Sequence, residues 1–253
     1  MEEKLKKLME RTLIATKPLA DAAPVGDTKF LIVLLGIYRI SFTALRDVDH
    51  LASSEGAGPN ILDLTRKMIE HGISIEYMLW KGKEEMAARF QDYLTVQMHE
   101  ELELLKSVGF DPQSLSAELQ IGVEDTEKAY NALPSGTKKD KNWAGVNFEK
   151  MLQDLTAAGV IEAADSPRLL SAYVWGCRLN HPNPFMTHAY LEPKEMEVAN
   201  TFTLRLGMIM ALAVHLRLTT RLIDESRFAA GSNIYPEVAA DVTAIQNDLS
   251  SVA

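Results

Sequence analysis

Arg66 and Glu70 stand four residues apart in the stretch LTRKMIEHGISIEYMLW. At about 100° per residue this stretch has helical periodicity, and an Arg and a Glu at that spacing share a face and can pair. Leu62, Ile69, Ile73 and Trp80 fall together on the wheel, and Ile61, Met68, Gly72, Ile75 and Leu79 continue the apolar arc. Asp63, Lys67 and Ser74 mark the polar face. Arg66 lies inside the apolar arc near one edge, with Glu70 at its border. Two readings follow. The pair is a partly buried structural ion pair, or it lines a polar pocket in which Arg66 clamps an anion.

A second candidate is His181, which ends a helix inside Arg178-Leu179-Asn180-His181-Pro182-Asn183-Pro184. The helix dipole favours a protonated imidazole there. His181 then either caps a free carbonyl or serves as general acid or base beside Arg66 and Glu70. Tyr173, two turns earlier, reaches the same face. Tyr173, Asn180 and Trp143 are the binding candidates. Arg66 and His71 also match Arg-x4-His, the spacing of a ribonuclease motif in helical nucleotide-binding families.

Metal chemistry has weaker support. Asp47-x2-His50, Glu70-His71 and His99-Glu100-Glu101 are the available groupings. None forms the paired Glu-x2-His motifs of di-iron carboxylate bundles, so no metal and no cofactor is expected. There is no G-x-S-x-G elbow, P-loop or dinucleotide fingerprint. Cys177 is expected to pack inside its helix, and Lys138, Lys139 and Lys141 form only a small basic cluster.

The elements that must position these residues are helices. The pattern predicts helices over about 2–16, ended by Lys17-Pro18; from a cap at Asp27 to about 53; over about 60–80, with Lys81-Gly82 as a break or kink; and over about 83–108. Asp111 and Pro112 open another, ending near Pro134. A short helix covers about 148–158. The next starts at Ser166-Pro167 and stops near His181, where two prolines disfavour helix. A long helix runs over about 193–223. A polar tail follows, with room for a short helix at about 236–249. No alternating strand of useful length appears.

The chain has 253 residues, 47% hydrophobic and 24% charged, so it can bury a core without disulfides. Its formal charge of −9 argues against duplex DNA as a partner. The apolar runs Phe30–Tyr38 and Leu206–Val214 are broken by Arg39, His215 and Arg217, and read as core helices rather than membrane spans. A single cysteine suits a reducing, cytoplasmic setting.

The order of these features resembles domain-of-unknown-function family 5677. Leu64–Trp80 resembles that family's Arg-x3-Glu helix. Trp143-Ala144-Gly145, a short helix, and then Tyr173 and His181 in SAYVWGCRLNHPNP are similar to its later part. That part carries Trp-x-Gly, a helix with a Tyr, and a serine shortly before a histidine; here Cys177 or Arg178 stands where the serine is expected. The resemblance covers about 47–191 and implies Arg66, Glu70, Trp143, Tyr173 and His181 as the positions of interest. It implies no established activity.

The expected fold is a single all-α domain over 1–253, with its core at 27–224 and a shorter 143–181 subregion packed against the long helices. Two function classes are expected. One is a non-catalytic, self-associating interaction or scaffold module whose Arg, Glu and His residues form a structural network. The other is a nucleotide- or RNA-binding protein or metal-independent ribonuclease using a polar pocket.

Overall fold

A computed structural model of the chain describes residues 1–22, 28–109, 111, 123–136, 138, 142–179, 193–227 and 235–252. Among them are nine helices and no strand: α1 (Glu2–Asp21), α2 (Lys29–Leu51), α3 (Gly58–Lys81), α4 (Lys83–Ser107), α5 (Val123–Ala132), α6 (Phe148–Ala157), α7 (Ser166–Leu179), α8 (Pro193–Arg227) and α9 (Tyr235–Ser250). The protein is an all-α bundle.

α3 is its hub. It packs most extensively on α8 and also meets α7, α2, α6 and α4. The α3–α8 contacts repeat at a constant offset. The Gly58 amide donates to Asn200 Oδ1 at 2.7 Å, and the Thr65 hydroxyl donates to the Gly207 carbonyl at 3.1 Å, each across 142 residues. Gly72 faces Val214, again 142 residues on. A constant offset means that the two helices run parallel. The seven-residue steps 58, 65, 72 and 200, 207, 214 are those of a left-handed seam, where helices cross near about 20°. Small residues let the axes approach. A Cβ on Gly207 would stand 2.6 Å from Ile61 Cγ2, and one on Gly72 would stand 2.9 Å from Val214 Cγ1.

Several boundaries differ from expectation for identifiable reasons. α1 runs through Pro18 to Asp21. Leu19 is buried in the core, and Arg39 of α2 bonds the last carbonyls of α1: Nε donates to Ala20 at 3.0 Å and Nη2 to Ala22 at 2.6 Å. Thr28 caps α2, its hydroxyl accepting from the Leu31 amide at 3.2 Å; Asp27, the expected cap, lies outside the described residues. Gly82, at φ 126°, ends α3 outright, since only glycine adopts that conformation cheaply. Residues 112–122, the first part of the helix expected after Asp111, lie outside the described residues. α7 starts at Ser166 as expected, and its first helical bond, from the Leu169 amide to the Asp165 carbonyl, puts Asp165 at the cap position.

α9 is more than a polar tail. Val238, Val242, Ile245 and Leu249 form a buried face against α1 and α8, and Arg11 pairs with Asp248 at 2.6 Å. Within α8, Glu197–Ser226 is long and apolar enough to cross a membrane by length and composition. In the fold, 67% of its most apolar window is buried.

Candidate functional site at the α3–α7 seam

Gly176 lets α7 lie directly on α3. A Cβ there would stand 2.6 Å from the Arg66 Cβ and 3.0 Å from the Leu62 carbonyl. The aliphatic stem of Arg66 is therefore covered by α7, which leaves its side chain 18% exposed. Its guanidinium is held by carboxylates of its own helix: Nε is 3.4 Å from Asp63 Oδ1 and Nη1 is 3.4 Å from Glu70 Oε2. Asp63 also takes Lys67 at 3.2 Å. Glu70 remains 44% exposed, so the pair sits at the edge of the core. Ser74, expected on the polar face, is buried and donates to the Glu70 carbonyl at 2.8 Å.

Tyr173 joins this edge from α7. Its ring stacks on Phe148, with centroids 3.8 Å apart. Burial pushes its phenol well above the usual range, and the neighbouring Cys177 and Glu70 push it the same way, so the phenol stays neutral. Arg66, Glu70, Tyr173 and Cys177 thus share one seam.

Trp143 is elsewhere. It is buried, edge-on to Phe90 at 5.4 Å and to Tyr77 at 6.3 Å. Tyr77 lies eleven residues beyond Arg66, about 16 Å along α3 at 1.5 Å per residue. Trp143 therefore anchors the segment before α6 to the far end of α3. His181 and Asn180 lie outside the described residues. His71 faces α2, where it lines a groove of about 410 Å3 with Arg39, Thr43, Asp47 and Lys67. Arg66 and His71 thus address different neighbours. Burial, reinforced by the Arg66 charge, lowers the His71 pKa. Among the described residues no three His, Cys, Asp or Glu side chains group as a metal site. Asp47 pairs with Arg46 at 3.8 Å, and His99 stacks on Tyr130 at 3.7 Å.

Two buried polar networks escaped the sequence reading. Glu76 is 2% exposed, yet it accepts from Arg217 Nε at 2.7 Å, Arg221 Nε at 2.9 Å and Arg221 Nη2 at 2.9 Å. Arg217 also donates to the Val160 carbonyl at 2.8 Å. Burial alone would raise the Glu76 pKa, but the hydrogen bonds from both guanidiniums outweigh it and hold the carboxyl below its ordinary value. The second network surrounds the fully buried His215. Its Nε2 is 3.1 Å from the Thr16 hydroxyl and its Nδ1 is 3.1 Å from the Ser41 hydroxyl; the ring stacks on Tyr38 at 5.2 Å. Burial pushes this imidazole down to about 3, so it is neutral. The Tyr38 hydroxyl donates to the Thr16 carbonyl at 3.0 Å, and burial pushes its pKa up to about 12. The available signal was a charged or titratable residue inside an apolar run: Glu76 in ISIEYML and His215 in LAVHL.

The profile of a family described as "Family of unknown function (DUF5677)" matches residues 31–198, about two thirds of the chain. The matched range holds Arg66, Glu70, Trp143 and Tyr173, but not Arg217, Arg221 or His215. No curated protein and no solved structure matches significantly.

Proposed function

This chain belongs to the DUF5677 family of unknown function, and for it we propose a non-catalytic interaction module whose polar residues brace the fold. The observation that carries this reading is the environment of Arg66. Its stem is covered at Gly176 and its guanidinium is engaged by Asp63 and Glu70. An anion clamp needs a cation whose charge is not already offset, whereas this one stands between two carboxylates that neutralise it and would repel an incoming phosphate. Tyr173, neutral and stacked on Phe148, fits a packing role in the same seam. The surface, rather than a reacting constellation, is then what the protein offers to other molecules. A cytoplasmic setting belongs to the same proposal and suits a chain with one cysteine.

The competing reading is a nucleotide- or RNA-binding pocket or a metal-independent ribonuclease. The experiment compares wild type with Arg66→Met and Glu70→Gln in three measurements: RNA cleavage without added metal, nucleotide binding by calorimetry, and urea unfolding. The expected result is neither cleavage nor binding. Arg66→Met should also lose about 1–3 kcal/mol of stability, between the values of exposed and buried pairs. Cleavage or binding by wild type that Arg66→Met abolishes, with unfolding unchanged, would overturn the proposal.

A further inference from the structure

The first half of α8 differs from the rest of that helix. Val198, Phe202, Leu206 and Ile209 follow one another at steps that place them on one stripe. Val198 is 70% exposed and Phe202 50%, whereas Met208, Ala211, Leu212 and His215 further along are fully buried. The stripe floors a concave surface of about 820 Å3 whose rim carries Lys194, Glu197, Thr201 and Arg205. Trp175 of α7 stands edge-on to Phe202 at 6.4 Å.

The charges on this rim are arranged about a centre. Glu197 lies four residues before Thr201 and Arg205 four residues after it. A second α8 laid antiparallel, with a twofold axis at Thr201, sets each Glu197 against the other copy's Arg205. The same axis brings the two Phe202 side chains to within about 3 Å in height, two helical rises. Such a surface is self-complementary, as an isologous interface requires. Arg205 already donates through Nε to Glu2 at 3.0 Å, and its remaining guanidinium N–H groups can take a second carboxylate. Among the described residues no hydrogen bond or ion pair engages Glu197.

We propose that a second copy of this chain covers the stripe, pairing α8 with its counterpart antiparallel about Thr201. The proposal rests on the interaction-module reading and names its partner. The test is sedimentation equilibrium on wild type, Val198→Glu, Phe202→Glu, Glu197→Arg, Arg205→Glu and the double reversal, with circular dichroism melts of each. A dimer is expected for wild type. Val198→Glu and Phe202→Glu should be monomeric yet still melt cooperatively, at a midpoint lowered toward the concentration-independent value of the single chain, because Val198 is exposed and Phe202 half-exposed there. Each single reversal should weaken dimerisation about tenfold by opposing like charges, and the double reversal should restore it. A wild type that stays monomeric at high micromolar concentration overturns the proposal, as does a dimer that Phe202→Glu leaves intact or a double reversal no better than the singles. None of these outcomes touches the interaction-module reading, which falls instead to RNA cleavage or nucleotide binding.

Discussion

His215 Nε2 donates to the Thr16 hydroxyl. The Thr16 proton is already committed to the Thr12 carbonyl at 2.7 Å, so Thr16 can only accept across the 3.1 Å contact. Nδ1 must then accept from the Ser41 hydroxyl at 3.1 Å. The network favours one neutral tautomer, and burial disfavours a second proton on the ring.

That assignment makes stability depend on pH. The imidazole is pushed from 6.5 down to about 3, so the unfolded chain binds a proton that the folded chain refuses. The stabilisation is complete above about 6.5 and is lost as pH falls toward 3, with a slope approaching about 1.4 kcal/mol per pH unit. His71, also lowered, acts in the same sense, and Glu76 adds a further loss below its ordinary 4.5. Urea unfolding at about pH 7 and about pH 5 should show a clear loss, and His215→Gln should reduce the slope, leaving the part that His71 contributes. A wild-type profile flat over that interval would contradict a neutral buried His215.

Glu76→Gln should cost about 2–4 kcal/mol, because two guanidiniums then face an amide that cannot neutralise them. Arg221→Met should cost less, since Arg217 remains bound to Glu76 and Arg221 is partly exposed. The check is urea unfolding of both variants. A loss under about 1 kcal/mol for Glu76→Gln would mean that the network contributes little.

Two glycine substitutions with the same helix-propensity gain should move stability in opposite directions. Gly36 sits within α2 with nothing within 4 Å of an added Cβ, so Gly36→Ala should stabilise by about 0.5–1 kcal/mol. Gly207→Ala drives its methyl against Ile61 and should destabilise by about 1–3 kcal/mol. Thermal melts of the pair read out the close approach of α3 and α8; a stabilising Gly207→Ala would show that the seam has slack.

What was legible in the sequence was local. The helix over 58–81 follows from 3.6-residue periodicity, and its end follows from Gly82. The Arg66–Glu70 pair was visible because both partners lie on one helix, four residues apart. Pro18 misled because the carbonyls beyond it are bonded by Arg39, from another helix. Ser74 misled because a wheel assigns one wet face, whereas α3 has neighbours on several sides. Glu76 and His215 were passed over for a related reason. Their partners lie 141 to 199 residues away, and no window along the chain contains both ends.

The parallel α3–α8 seam also sets a schedule for synthesis. Thr65 precedes its partner Gly207 by 142 residues, which a ribosome adds in roughly 7–30 seconds at about 5–20 residues per second. Through that interval α3 carries Ile61, Ile69 and Ile73 without the helix that covers them, and Glu76 without its guanidiniums. The nascent chain therefore carries an uncovered apolar face on α3 through that interval, and the α3–α8 seam closes only once the second half of α8 has been made.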